Sequence, residues 1–259
     1  MSRCLGIAVV LISLFVLAAI ASGQNPPASD PQALAYAAQS ISAITGGTSI
    51  GDVTLTGSVT WNGGVAGTAT LKALGKGESR MDLTLPAGTR TEIRDAQTGA
   101  RLGRWINPNS SSGHFAFQNC LTDAAWFFPA LGSLAAGPSV VLLYIGQETR
   151  NGGAVQHLRS YVYQSNPPPG VSPQQLSTMD FYLDAGTLLP LASVFNAYPD
   201  TGVGPTISVE IDFSNYQSLS GVLVPLHIQR YSQGNLLADI TVSGAAFNTG
   251  LPLSLFTIN

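Results

Sequence analysis

Polar and apolar residues alternate along most of this chain. In "DVTLTGSVTW" Val53, Leu55, Val59 and Trp61 fall on one face, while threonine and serine residues fall on the other. Because successive side chains of a strand point to opposite faces, this pattern predicts a strand with one buried face. Later segments repeat the pattern, and their predicted buried residues include Leu71, Met81, Leu83, Ile211 and Phe213.

Closely spaced turns separate these segments. "NGG" at 62–64 is typical of a tight hairpin, and "SLSG" and "SQGN" divide the last three strands. Such short connections indicate antiparallel neighbours, and the regular alternation indicates a sheet that is wet on one face and buried on the other. The pattern predicts a mainly β protein of about eleven strands, more than an open sheet usually carries without curling.

One carboxylate, that of Asp184, could have either a catalytic role or a structural role in a turn. Asp184 lies in "FYLDAGTLLPLASVF", between two apolar runs, and Gly186 follows it two residues later. Asp and Gly are turn formers, each for a known backbone reason. We therefore assign Asp184 to a turn, and Pro190 in the returning strand predicts an edge or a bulge.

Two segments depart from the strand pattern. Asp30 and Pro31 are a typical helix start, Leu34, Ala37, Ile41 and Ile44 follow at helical spacing, and a Gly pair ends the element. The stretch 119–137 does not alternate and contains a proline, which predicts a kinked or two-piece helical segment. It is interpreted either as a core plug or as a movable lid. Its large apolar residues include Trp126, Phe127, Phe128 and Leu131.

The N-terminus resembles a secretory signal peptide. Arg3 precedes an uncharged run that ends in the small-residue triplet Ala19-Ile20-Ala21. We expect residues 1–21 to be a signal peptide cleaved after Ala21 or Gly23, 22–31 to be a flexible linker and 32–259 to be one domain. The alternative is an uncleaved helix that anchors the chain to the inner membrane, because the run is close to a membrane span in length. No Cys follows the triplet, so lipid attachment is not expected.

Composition narrows the function classes. Only 10% of the residues are charged and the formal net charge is −3, with no basic run, so nucleic acid is not an expected partner. Once Cys4 leaves with the signal peptide, Cys120 is the one remaining cysteine. No intramolecular disulfide can then form, and a buried thiol is the simplest expectation.

No set of residues points to catalysis. His114, His157 and His227 are far apart in sequence and lack metal-ligand spacing, and neither a nucleophile elbow nor a phosphate loop is present. Glu210 and Asp212 share the polar face of one strand and are expected to be solvated. The sequence therefore predicts neither an enzyme nor a cofactor nor a metal site.

Three segments resemble the lipoprotein-localisation carrier (LolA-like) superfamily. They are "YIGQETRNGGAVQHLRSYVY", "DFYLDAGTLLPLASVF" and "IDFSNYQSLSGVLVPLHIQRY", which carry three hairpin motifs in the order of that group. The resemblance implies a signal peptide, a leading helix and a curved antiparallel half-barrel with short helices over its concave face. Carriers of the family use a basic residue inside the cavity. Arg80 falls on the polar face and Arg104 is ambiguous, so the sequence places no such residue.

The resemblance implies an exported periplasmic carrier or chaperone that holds the acyl chains of a lipid or lipoprotein in an apolar concave cavity. The alternative is a non-catalytic envelope sensor or protein-interaction module of the same fold without a cavity. A monomer is expected, with an envelope protein as a further partner. The predicted cavity residues are Leu55, Val59, Trp61, Leu71, Met81, Leu83, Trp126, Phe127, Phe128, Leu131, Ile211 and Phe213.

Overall fold

The structure is dominated by one antiparallel sheet. The computed structural model describes residues 27–74, 77–95, 102–117, 119–122, 139–167, 169–170, 172–201 and 204–258. Within these ranges no helix has the length and apolar character needed to cross a membrane. The strands are β1 Asp52–Trp61, β2 Val65–Leu74, β3 Ser79–Leu85, β4 Gly88–Asp95, β5 Leu102–Ile106, β6 Ser112–His114, β7 Val140–Arg150, β8 Gly153–Val162, β9 Met179–Asp184, β10 Pro190–Ala197, β11 Ile207–Leu219, β12 Val222–Ser232 and β13 Asn235–Phe247.

The strand order shows how the sheet is assembled. It runs β6-β5-β4-β3-β2-β1-β13-β12-β11-β10-β9-β8-β7, so that the last strand pairs with the first and two hairpin series extend outward from this central pair. The described sheet has thirteen strands, whereas the alternation pattern predicted about eleven. A strand of three residues such as β6 is too short to show a reliable period of two. The predicted class, a mainly β antiparallel half-barrel, is confirmed.

Helices are few in the described residues. The leading helix α1 spans Pro31–Thr45, a short α2 spans Asn119–Thr122, and α3 spans Pro173–Ser177. The predicted caps of α1 are confirmed, since the Asp30 side chain accepts the Gln32 backbone N–H at 2.7 Å. Gly46 ends the helix in the left-handed conformation with φ 60°, which favours glycine.

The buried stripe of α1 differs from the prediction. Leu34 is 48% exposed, and the buried positions are Ala33, Ala37, Ser40, Ile44 and Thr45. Of the predicted stripe, Ala37 and Ile44 are thus buried and Leu34 is not. The small residues Ala33, Ala37 and Ser40 let the helix approach the sheet closely, and the larger Leu34 lies outside the contact. Spacing alone could not distinguish the two neighbouring stripes.

The helix α1 crosses one face of the sheet. At its start the Asp30 N–H donates to Leu142 O of the edge strand β7 at 2.8 Å, and the Leu142 N–H donates to Ser29 Oγ at 3.0 Å. Residues 29–31 of the segment predicted as a linker are thus paired with β7 or helical. The helix also contacts β12. We call the face that α1 covers the inner face.

Glycines at the centre of the sheet allow it to bend. At Gly57 the register between β1 and β13 shifts, and an added Cβ would lie 2.1 Å from Thr241 O. A bulge of this kind increases local bending and twist, and a glycine permits the close backbone approach. The sheet therefore curls at its central strand pair, yet the edge strands β6 and β7 do not pair with each other.

The predicted turn at Asp184 is confirmed. Its Oδ1 accepts the Thr187 N–H at 2.7 Å and the Gly186 N–H at 3.1 Å, together with the Thr187 hydroxyl. These hydrogen bonds lower the pKa of Asp184. The register shift between Pro190 and Ala192 confirms the predicted bulge.

Candidate functional site

The predicted cavity residues that the structure describes come together on the inner face. All but one of them belong to a single apolar cluster, and none of these is more than 7% exposed. Trp61 is half-buried and packs against the cluster. The predicted residues that belong to the cluster are Leu55, Val59, Leu71, Met81, Leu83, Ile211 and Phe213.

Four of the predicted site residues lie outside the described residues. They are Trp126, Phe127, Phe128 and Leu131. Their contact with the inner face stays a prediction, and so does their role as a plug or a lid. Cys120, just before them, is buried as expected.

A charged cluster lies beside the apolar one and was missed by the sequence analysis. Arg90, Glu92 and Arg94 occupy successive inward positions of β4, and Arg230 occupies an inward position of β12. We call these four residues the arginine cluster. The Glu92 side chain is only 4% exposed, and Arg90 Nη2 donates to its Oε1 at 2.7 Å. The guanidiniums of Arg94 and Arg230 lie 3.6 and 3.8 Å from its Oε2.

Electrostatics keep the buried carboxylate charged. Burial by itself raises the pKa of Glu92, but the nearby guanidiniums of Arg230, Arg94 and Arg90 outweigh that effect and hold the pKa below its usual value. The result is a carboxylate enclosed by positive charge. Such a group stabilises the fold only while its partners remain in place.

The contact between Glu92 and Arg230 shows how strongly the sheet curves. Strands β4 and β12 are five steps apart in the sheet order, which corresponds to about 24 Å across a flat sheet. The two side chains could not span that distance unless the inner face were concave. The inner face is therefore the inside of the half-barrel.

Two further contacts join the flanks of the half-barrel. Trp105 of β5 donates from Nε1 to Asp200 Oδ2 at 2.7 Å, and Asp200 lies in the loop between β10 and β11. Asn119 of α2 exchanges two hydrogen bonds with the backbone of Tyr198, at 2.8 and 2.7 Å. Since β5 and β10 are eight steps apart in the sheet, these contacts hold the two flanks together.

The sequence did contain a signal for the arginine cluster. In "TRTEIRD" the residues Arg90, Glu92 and Arg94 share one face, and Arg230 shares a face with the apolar residues Val224 and Ile228. A charge in register with apolar inward residues is a candidate for the interior. Arg80, which the sequence placed on the polar face, is confirmed there and pairs with Asp82 at 2.7 Å.

The outer face carries a polar network around two histidines that have no partner at close spacing in the sequence. Nδ1 of His157 lies 2.6 Å from Glu148, and its Nε2 lies 2.8 Å from Asp180. His227 is half-buried and contacts Asp239 at 2.8 Å. The partners come from neighbouring strands, so spacing along the chain does not reveal them. Among the described residues no group of three or more His, Cys, Asp or Glu side chains could hold a metal ion.

Glu210 and Asp212 also differ from the expectation of two solvated carboxylates. Burial, followed by the hydrogen bond and charge of Glu210, raises the pKa of Asp212 to about 7. Glu210 in turn contacts Arg150, whose guanidinium lies 4.4 Å from the Tyr182 ring centroid. The pair lies on the outer face, away from the apolar cluster.

This pair predicts a specific pH dependence. The folded-state pKa of Asp212 is about 7, against an ordinary value of 3.8. Between about pH 4 and pH 7 the folded protein binds a proton that the unfolded chain does not, so this carboxyl makes the free energy of unfolding fall as pH rises. We expect Asp212→Asn to reduce that fall, measured by urea unfolding across the window.

A matched control comes from the turn described above. Asp184 has a lowered pKa and an ordinary value of 3.8, so Asp184→Asn should leave the slope unchanged from about pH 5 to pH 7. An equal slope in the wild type and in Asp212→Asn would show that the Asp212 carboxyl is charged throughout.

The architecture is a half-barrel. It consists of a strongly curved, open antiparallel sheet with a leading helix across its concave face. No family model matches the chain, and no curated protein matches it in sequence. Solved structures do match, and the resemblance inferred from the sequence is confirmed at the level of the fold.

Three of these structures illustrate the likeness. A crystal structure of an outer membrane lipoprotein-sorting protein domain from Vibrio parahaemolyticus has a TM-score of 0.52 and 16% identity, covering 86% of this chain and 95% of that one. A DUF1329 family protein from Desulfovibrio piger has a TM-score of 0.50, 12% identity and coverages of 89% and 98%. A LolA superfamily protein from Nitrosomonas europaea has a TM-score of 0.50, 12% identity and coverages of 87% and 97%.

Proposed function

We propose that this protein is an exported, non-catalytic carrier or chaperone that binds the acyl chains of a lipid or lipoprotein on its inner face. The observation that carries the proposal is the convergence of apolar side chains from strands that are distant in the sheet. Leu55 of β1, Leu83 of β3 and Ile211 of β11 belong to one cluster inside a sheet that stays open at its edges. A concave apolar surface of this kind suits a flexible hydrocarbon chain.

The energetics suit a carrier that must release its ligand. Burying an acyl chain of about 16 carbons contributes at most about 12 kcal/mol, at about 0.8 kcal/mol per methylene. The inner-face residues are already buried in this structure. A ligand must therefore displace groups that cover them, and the cost of doing so lowers the net affinity into a range compatible with release.

The proposed location is the periplasm. The N-terminal segment has the pattern of a cleaved signal peptide. The Vibrio protein of similar fold is described as sorting outer membrane lipoproteins, which agrees with a role in the cell envelope. An N-terminal helix retained in the inner membrane is the alternative, and N-terminal sequencing of the protein from its native membrane and periplasmic fractions distinguishes the two.

Two measurements test the carrier function. Native mass spectrometry of protein purified from an envelope extract should reveal a bound lipid, and the delipidated protein should take up a fluorescent fatty acid saturably at about one equivalent. Uptake should be reduced by competition with an unlabelled fatty acid of the same length. Absence of both the co-purified lipid and the uptake would rule out the carrier.

The second candidate is an envelope sensor or protein-interaction module of the same fold. It is favoured by the burial of the inner face, where Leu83 and Val224 are 0% exposed. If the interior is permanently packed, fatty acid uptake should be absent and the outer surface would carry the function. The uptake experiment therefore distinguishes the two candidates.

A further inference from the structure

We infer that the arginine cluster receives the negatively charged head group of an amphiphile whose acyl chain lies along the apolar inner face. This assignment rests on the proposed carrier function and specifies its ligand class as anionic, with either a carboxylate or a phosphate head group. The supporting observations are the charge of the cluster, its position beside the apolar residues and the geometry around Glu92.

The cluster combines three guanidiniums with one carboxylate. The side chains of Glu92, Arg94 and Arg230 are 4%, 3% and 11% exposed. Arg94 and Arg230 make further contacts within the protein, so the attraction for an anion comes from the summed charge. Three guanidiniums against one carboxylate leave the four residues of the cluster positive. Positive charge held out of water favours an incoming anion, and the guanidinium fork matches both carboxylate and phosphate.

The cluster adjoins the apolar surface in register. Glu92 lies directly opposite Met81, and Arg90 lies directly opposite Leu83. On the other flank Arg230 lies opposite Ile211. Directly opposed side chains in an antiparallel pair are about 5 Å apart at Cβ. An amphiphile can therefore place its head group among the guanidiniums while its first methylenes contact Leu83 and Met81.

The geometry around Glu92 leaves one of its oxygens without a hydrogen bond. Its Oε2 accepts no hydrogen bond. The nearest guanidinium nitrogens, at 3.6 and 3.8 Å, are beyond ordinary hydrogen-bond distance. Arg94 and Arg230 therefore attract Glu92 Oε2 by charge rather than through a short hydrogen bond, and a ligand anion would compete for that charge.

Arg90 provides the approach from solvent. Its side chain is 20% exposed, its Nη1 donates to Asn107 Oδ1, and its guanidinium carbon lies 5.4 Å from the Trp61 ring centroid. Arg90 is therefore the member that a head group meets first. Trp61, half-buried at the border of the apolar cluster, then offers an aromatic surface to the chain.

The test compares head groups on one chain length. Hexadecanoate, hexadecyl phosphate and hexadecanol are titrated into the mature, delipidated protein, with binding followed by displacement of a neutral solvatochromic dye. We expect one or both anions to bind about tenfold or more tightly than the alcohol, as a hydrogen bond to a charged group implies. The tighter of the two anions identifies the head group as carboxylate or phosphate.

Variants test whether the preference for an anionic head group arises in the arginine cluster. Arg230→Gln and Arg90→Gln should each reduce the preference for the anion to about threefold or less, while Arg80→Gln on the outer face should leave it unchanged. Arg230→Lys keeps the charge but loses the fork, and should retain part of the preference. Thermal unfolding of each variant shows whether it is folded, and the wild-type comparison of head groups does not depend on any variant.

The outcomes distinguish failure of this inference from failure of the proposed carrier function. Equal binding of all three amphiphiles to the wild type would overturn the anionic site and leave the carrier function standing. A preference that persists in both arginine variants would also overturn the assignment to the cluster. Failure of all three amphiphiles to bind would overturn the carrier function itself.

Discussion

Replacing Glu92 with alanine is expected to lower the free energy of unfolding by about 3–5 kcal/mol, because it leaves buried guanidiniums without their carboxylate. The Glu92 side chain is 4% exposed and lies within ion-pair distance of Arg90, Arg94 and Arg230. Urea unfolding at neutral pH measures the loss. The matched control is Glu148→Ala, whose side chain is 47% exposed and whose loss should stay below about 1 kcal/mol.

The same prediction has a pH signature. The pKa of Glu92 is held below its usual value of 4.5, so its stabilisation is fully present above that value and is lost as pH falls through the folded-state pKa. The difference between the wild type and Glu92→Ala should therefore shrink in acid. A loss below about 1 kcal/mol at neutral pH would show that solvent reaches the cluster and screens it.

Truncating Phe213 to alanine is the second large effect, with an expected loss of about 3–5 kcal/mol in the free energy of unfolding. Phe213 is 4% exposed on the inner face of β11 and belongs to the apolar cluster. Removing the ring leaves a cavity that rigid neighbours cannot fill. Phe117→Ala is the matched control, because Phe117 is 53% exposed and its loss should stay within about 0.5 kcal/mol.

The Phe213 variant also probes the proposed function. If an acyl chain binds beside this position, hexadecanoate should restore part of the lost stability, since a ligand that binds only the folded state raises the free energy of unfolding. The measurement is the unfolding midpoint in urea with and without the fatty acid. A small loss of unfolding free energy in Phe213→Ala would mean that the inner face is loosely packed. If hexadecanoate stabilises neither the wild type nor Phe213→Ala, the sensor or interaction module is favoured.

The outer face has a different role from the inner face in this molecule. His157, Glu148 and Asp180 form one polar group there, and burial of Asp180 is offset by His157 and Arg159, so that its pKa is lowered. These groups lie on strands β7 to β9, whereas the arginine cluster faces inward from β4 and β12. The outer-face charges therefore join neighbouring strands of the sheet, whereas the arginine cluster, by our inference, binds a ligand on the inner face.

Local sequence determined the elements of this fold. Alternation in β1 to β3 and in β11 to β13 placed Leu55, Leu83 and Ile211 on one face, because a strand has a side-chain period of two whatever its neighbours are. The caps of α1 at Asp30 and Gly46 and the turn at Asp184 followed from the same short-range chemistry. These features depend on residues a few positions apart, so they can be predicted from the chain alone.

The tertiary structure decided what faces what across the half-barrel. Which small residues of α1 meet the sheet, and that Leu34 does not, depends on how the helix crosses the inner face. The meeting of Glu92 with Arg230 and of Trp105 with Asp200 depends on the summed curvature of many strands. Alternation assigns a side chain to a face but not to a partner five or eight strands away. The sequence alone therefore determined the strands and their apolar face, while the curvature of the sheet created the charged interior.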